Sequence, residues 1–207
     1  MPSIDFWFEF ASTYSYPAAM RVETLAHKAG VAIEWKPFLL GPIFKSQGWS
    51  DSPFNVYPAK GRYMWRDLER ICAEQGLPLR RPSQFPRNGL TAARVACLCA
   101  GEPWIGEFVR AVYTANFAED RDISQPEVLK AILRSIARPD SIIEKASGEE
   151  AKAKLRANTD EAARIGIFGA PTCMRGEEMF WGNDRLEQAL RWPVSRPPAA
   201  ADRGSPR

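Results

Sequence analysis

Strand-like alternation occurs only at the two ends of this 207-residue chain, and residues 60–166 between them carry helical periodicity alone. At the N-terminal end Ile4, Phe6, Phe8 and Phe10 alternate with Asp5, Trp7 and Glu9, the period-2 pattern of a strand. A helical pattern follows at once, with Ala18, Val22, Leu25 and Ala26 at i, i+4, i+7 and i+8, and Gly30 suits the residue just past a helix end. Val31, Ile33 and Trp35 then alternate with Ala32, Glu34 and Lys36. Strand, helix and strand in so short a stretch read as a βαβ unit with a parallel pair.

Beyond Phe38 the pattern changes. Residues 41–58 are rich in Gly, Pro and Ser and read as a loop. Helices are expected over residues 59–75, 90–100, 103–118, 125–136, 139–146 and 148–165. The strand signal returns in Ile167–Met174, breaks at a turn over Arg175-Gly176-Glu177-Glu178 and resumes in Met179-Phe180-Trp181. Gly182-Asn183-Asp184-Arg185 then opens a last helix through Leu186 and Leu190. The expected organisation is an α/β unit from residues 1–40 and 166–192, an all-helical insertion over 41–165, and a proline-rich disordered tail over 193–207.

Composition narrows the function classes. The net charge is +3, and the tail 191–207, with four Arg and one Asp, accounts for it, so a broad nucleic-acid-binding surface is not expected. No apolar run reaches membrane-spanning length, and the N-terminus enters a strand by residue 4 without a basic or apolar leader. A cytoplasmic protein is expected. The four cysteines, Cys72, Cys97, Cys99 and Cys173, form no C-x-x-C pair and read as buried free thiols. His27 is the only histidine, which argues against a zinc site and against most Ser-His and Cys-His nucleophile schemes.

Ser12 stands where the first strand ends and the first helix begins. Backbone N–H groups and the helix dipole favour an anion there, and a hydroxyl can donate to a bound thiolate or oxyanion. Serine is equally at home there as a cap or turn residue.

The order of elements resembles the thioredoxin superfamily with a helical insertion, as in DsbA-like proteins and kappa-class glutathione transferases, and more closely the 2-hydroxychromene-2-carboxylate isomerase family. The resemblance covers about residues 3–190. It is carried by the segments Asp5–Ser12, Asn55–Asp67, Phe85-Pro86-Arg87-Asn88, Phe168-Gly169-Ala170-Pro171-Thr172 and Trp181–Arg185, in that order. One departure stands out: the family usually reads Ser-Pro after the first strand, and this chain reads Ser12-Thr13.

The resemblance implies glutathione as cofactor, with Ser12 holding its thiolate. Pro171 matches the superfamily cis-proline, so Ala170 would pair its backbone with the cysteinyl residue. Trp181, Asn183, Asp184 and Arg185 would border the γ-glutamyl end, although capping alone also explains Asn and Asp at a helix start. Asn55, Lys60, Tyr63 and Asp67 would lie over the thiol. Spacing puts Lys60, Tyr63 and Asp67 on one helix face, which is also how a solvated face looks. Phe85, Pro86, Arg87 and Asn88 would border the substrate, with Lys60 or Arg87 meeting its carboxylate. Met64, Trp65 and Phe85 could line an aromatic pocket or serve as core. The implied activity is glutathione-dependent interconversion of 2-hydroxychromene-2-carboxylate and trans-o-hydroxybenzylidenepyruvate. The alternatives are a kappa-type transferase or peroxidase and a non-catalytic binding protein. Relatives suggest a homodimer. A disulfide oxidoreductase is disfavoured, since serine occupies the nucleophile position.

Overall fold

A computed structural model describes residues 1–49 and 51–193. The expected tail beyond Pro193 lies outside the described residues. The first strand, β1 (Ser3–Phe8), is followed by α1 (Ser15–Ala29) and β2 (Ala32–Pro37). β1 and β2 pair in parallel, with Ser3 opposite Ala32 and Phe8 opposite Pro37. Gly30 takes φ +66° just past α1, and its N–H returns to the helix carbonyls, so glycine ends the helix by adopting the left-handed region other residues avoid.

The helical insertion follows in chain order as α2 (Leu40–Ser46), α3 (Pro53–Val56), α4 (Pro58–Gln75), α5 (Leu90–Leu98), α6 (Ile105–Phe117), α7 (Pro126–Ser135), α8 (Ile142–Ala146) and α9 (Glu149–Arg164). The stretch expected as a loop over 41–58 therefore holds two short helices. Proline breaks a helix only in its interior, and Pro53 occupies a first-turn position, where its missing N–H costs nothing. β3 (Thr172–Arg175), β4 (Glu178–Trp181), a 3₁₀ turn (Asn183–Arg185) and α10 (Leu186–Arg191) complete the chain.

The strand order is β2-β1-β3-β4. β3 runs antiparallel to both neighbours, setting Phe6 opposite Cys173 and Cys173 opposite Phe180. A βαβ half and a β-hairpin half joined in this order make a thioredoxin-like sheet with a helical insertion between β2 and β3. Both faces of β1 are covered. Ile4, Phe6, Phe8 and Phe10 join the main core with α1 and α6 residues, while Trp7 packs on the other face with Phe38, Leu40, Ile43, Ala162, Ile167 and Met174. The polar residues of the alternation are thus not a solvated face: Asp5 and Glu9 are partly buried too.

Phe8 stands at the centre of the aromatic core. It meets Trp35 edge-on at 5.6 Å and Phe10 edge-on at 5.3 Å, and it stacks on Phe6 at 5.9 Å. Phe8→Ala is expected to lower unfolding free energy by about 3–5 kcal/mol, read by denaturant titration, because the surrounding rings cannot collapse into the space.

Candidate functional site

The turn after β1 is held by groups far away in sequence. The Glu9 carbonyl accepts from the Ser12 N–H at 3.0 Å and from the Tyr113 hydroxyl at 2.8 Å. The Phe10 carbonyl accepts from the Asn116 side-chain amide at 3.1 Å. Gly89 passes so close that a Cβ there would lie 2.7 Å from the Phe10 Cβ. Glycine is needed for that approach, which seats the loop of Pro86 and Asn88 against the turn.

Within this frame the Ser12 hydroxyl donates to the Ala170 carbonyl at 2.8 Å and accepts from the Ser15 N–H at 3.3 Å. Ser12 therefore does serve as a cap to α1, and in the same place it spans the end of β1 and the residue preceding Pro171. The Ala170–Pro171 peptide is cis, as is Phe85–Pro86. Thr172 closes the turn by donating its hydroxyl to the Gly169 carbonyl at 2.8 Å. Phe168 and Trp181 meet edge-on at 5.0 Å beside it, and Trp181 is 52% exposed, its indole lying over Gly169.

Tyr14 gathers the opposite wall. Its hydroxyl donates to the Asp67 carboxylate at 3.0 Å, and its ring packs on Phe54 at 6.2 Å. Burial raises its pKa, and so do that hydrogen bond and the nearby Tyr63 and Asp184, so the phenol keeps its proton. The start of α1, α4 through Tyr63 and Asp67, the cis-proline turn and the 3₁₀ turn thus converge around Ser12 and Tyr14. Tyr14 itself was not anticipated. Its signal was available: a tyrosine two residues after Ser12, immediately before the first residue of α1.

The other expected residues separate into those on this surface and those spent elsewhere. Tyr63 is exposed, and Lys60 lies over the Tyr57 ring at 4.8 Å. Asn55 is exposed and donates to Asp51 at 3.0 Å. Asn88 accepts from the Leu90 N–H at 2.9 Å, which caps α5. Met64 and Trp65 are buried as core, and Phe85 packs edge-on against Trp65 at 4.9 Å, so these three serve packing. Pro86 is exposed in its loop. Neither of two surface grooves, one lined by Met1, His27 and Trp35 and the other by Leu39, Arg94 and Arg156, includes Ser12.

Arg87 is a correction. Expected to meet a substrate carboxylate, it is only 4% exposed. Its guanidinium pairs with Asp120 and donates to the Asn116 side chain at 3.3 Å and to the Arg121 carbonyl at 3.0 Å. The Ser83 amide and the Arg87 guanidinium hold the Asp120 carboxyl down to about 2. Both terminal nitrogens already face acceptors, and the one unpaired donor, Nε, is buried, so the guanidinium presents nothing to a ligand at the surface. Its reach to the site is indirect: it orients Asn116, which holds the Phe10 carbonyl. Asn183 is a second correction. It is buried and its side chain accepts from Arg21, so Asp184, with its side chain 78% exposed, is the group of that turn that faces outward. Arg185 is exposed beside it, 3.8 Å from the Asp184 carboxylate.

All four cysteines are free and buried. Burial pushes Cys72 up to about 11 and Cys97 and Cys173 to about 12, so no chain thiol is poised as a thiolate at neutral pH.

Residues 3–191 match the family described as the DSBA-like thioredoxin domain. The chain belongs to this family. It is 30% identical to the 2-hydroxychromene-2-carboxylate isomerase of Sphingobium xenophagum over 188 residues, which covers 89% of this chain and 94% of that one. It is likewise 30% identical to glutathione S-transferase kappa 1 of Caenorhabditis elegans over 208 residues, covering 90% and 88%. A solved structure of 2-hydroxychromene-2-carboxylate isomerase superposes with a TM-score of 0.81 at 28% identity, over 90% of this chain and 91% of the other.

Just past β1, Glu9 is a partly buried acid among the polar residues of the alternating pattern. Burial raises its carboxyl from 4.5 to about 7, against the Leu40 N–H, which hydrogen-bonds it and pulls it down. The folded protein holds this proton more tightly than the unfolded chain. Its stabilising contribution is therefore full below about pH 4.5 and lost as pH rises through about 7. Denaturant unfolding between about pH 5 and about pH 8 is expected to give a stability that falls with pH, and Glu9→Gln to flatten that fall.

Proposed function

We propose that this chain is a glutathione-dependent isomerase that interconverts 2-hydroxychromene-2-carboxylate and trans-o-hydroxybenzylidenepyruvate. The observation that carries the reading is the Ser12 hydroxyl at 2.8 Å from the Ala170 carbonyl, in a site with no ionisable chain thiol of its own. The thiol must then come from a ligand. The residues fit one shaped like glutathione: a hydroxyl donor, a backbone edge at Ala170 and an outward carboxylate at Asp184. Similarity to an isomerase that spans nearly the whole chain supports the choice of reaction.

When bound, glutathione supplies a thiolate that adds reversibly to the conjugated carbon of the substrate, so that the former double bond can rotate. The chain's own residues bind and orient. A serine hydroxyl has one hydrogen to give, so Ser12 must exchange its bond to the Ala170 carbonyl for one to the thiolate. The exchange is favourable because a charge-assisted bond is the stronger of the two. Releasing Ala170 at the same moment leaves its carbonyl open to a ligand N–H. Asp184 meets the γ-glutamyl ammonium. Lys60, lying over an exposed tyrosine and in no ion pair among the described residues, is free to swing to a substrate carboxylate. Phe168 and Trp181 offer apolar walls for an aromatic body. Tyr14, its proton retained beside Asp67, stays a neutral donor and adds no negative charge against the thiolate.

A kappa-type glutathione transferase is the second reading, favoured by an equal identity to the Caenorhabditis elegans transferase. A non-catalytic glutathione-binding protein is a third. Assay of chromene carboxylate with and without glutathione separates them. The isomerase reading expects turnover that requires glutathione; binding without isomerisation overturns it. Ser12→Ala is expected to fold, to bind glutathione with a raised thiol pKa, and to lose about 1.5–3 kcal/mol of transition-state stabilisation, or one to two decades in rate. Replacing Cys72, Cys97, Cys99 and Cys173 by Ala or Ser is expected to lower the melting temperature yet keep glutathione-dependent turnover. Loss of turnover in a folded Cys173 variant would return the chain to protein-thiol chemistry.

A further inference from the structure

This inference rests on the glutathione reading above and concerns a residue to which nothing so far gives a part in the site's chemistry. Arg21 lies on α1 beside buried Ala18, Ala19 and Val22, yet its guanidinium leaves that apolar face for the start of α10. Its Nε donates to Asn183 Oδ1 at 3.3 Å. Its Nη2 donates to the same Oδ1 at 3.2 Å and to the Asn183 carbonyl at 2.6 Å. Its Nη1 pairs with the Glu187 carboxylate. One fork therefore grips Asn183 by side chain and main chain together.

That grip sets the geometry of the next residue. A peptide unit is planar and trans, so fixing the Asn183 carbonyl aims the Asp184 N–H in the opposite direction, away from Arg21. The Asp184 carboxylate is confined from the other side. Gly182 takes φ +114°, and a Cβ on it would lie 2.5 Å from an Asp184 carboxylate oxygen. The carboxylate thus folds back over the Gly182 backbone, exposed and within electrostatic reach of Tyr14.

We infer that Arg21 is the positioning residue for the α-amino-acid end of a γ-glutamyl thiol. By holding the Asn183–Asp184 peptide it presents an N–H donor and a carboxylate side by side. That pair is complementary to the carboxylate and ammonium of a zwitterionic amino-acid group. Arg21 touches neither the ligand nor the reacting thiol. Lysine cannot substitute fully, because a point charge cannot hold a carbonyl, an amide oxygen and a carboxylate in one plane.

The test compares glutathione with cysteinylglycine, which carries the same thiol but lacks the γ-glutamyl group. Calorimetric titration of both into the wild type, Arg21→Ala, Arg21→Lys and Glu187→Gln reads the assignment directly. Arg21→Ala is expected to weaken glutathione about tenfold or more while leaving cysteinylglycine within about twofold. Arg21→Lys should recover part of the loss. Glu187→Gln, which breaks the ion pair but spares the bonds to Asn183, should leave both ligands within about twofold of the wild type. In turnover, KM for glutathione should rise with kcat at saturation unchanged. Equal weakening of both ligands would mean a general structural role and overturn the inference. Unchanged glutathione affinity in a folded Arg21→Ala protein would overturn it while leaving the glutathione reading intact. Failure of the wild type to bind glutathione would sink both. Should Arg21→Ala not fold, Arg21→Lys carries the comparison, and glutathione affinity equal to the wild type's in that variant would likewise overturn the fork's role.

Discussion

β1 has a hydrogen-bonding edge on each side, and neither can go unpaired once both faces of the strand are buried. One edge is met in parallel by β2, which the chain reaches after a single helix. The other is met antiparallel by β3, which begins at residue 172, beyond the whole helical insertion. That second pairing brings Ala170 beside the turn that leaves β1, and it decides where every other part of the site can stand. The Ser12 hydroxyl then bridges to the Ala170 carbonyl across 158 residues of sequence.

The insertion completes what the sheet leaves open. Where β1 ends, its last carbonyls would be exposed inside the protein, and α6 supplies Tyr113 and Asn116 to cover them. Asn116 is oriented in turn by Arg87, itself fixed by Asp120. A buried guanidinium is tolerable here because both terminal nitrogens are hydrogen-bonded and Asp120 balances the charge; removing Asp120 would leave that charge uncompensated. The helical segment thus holds the turn below Ser12, while Asp67, midway along α4, takes the Tyr14 hydroxyl and builds a wall above it.

Much of this could be read from the amino acids, and what could not has a common cause. The strands, the helices of the insertion and the position of Ser12 follow from periodicity and from a strand running into a helix, which are local signals. The segments Phe168–Thr172 and Trp181–Arg185 could be placed beside Ser12 through family resemblance. The same resemblance puts Arg87 and Asn183 at the ligand, since family motifs mark positions and not the partners a side chain finds in this chain. Only the folded chain reveals that Asp120 and Arg21 claim them first. Tyr14 and Arg21 escaped for the converse reason: on a helix their partners, Asp67 and Asn183, are 53 and 162 residues away. The short helices α2 and α3 were hidden by prolines that start helices as readily as they stop them.

The burial of all four cysteines has a consequence for how such a molecule meets oxidative stress. Oxidants and electrophiles attack a thiol that is both accessible and ionised. Here burial withholds the first property and, by raising the thiol pKa, the second. A scaffold built like that of disulfide-exchange enzymes is in this way insulated from disulfide exchange. On the proposed reading, the sulfur chemistry is borrowed from a diffusible thiol. Its working state would then follow the abundance of that thiol from moment to moment, and the polypeptide would keep no record of past oxidation.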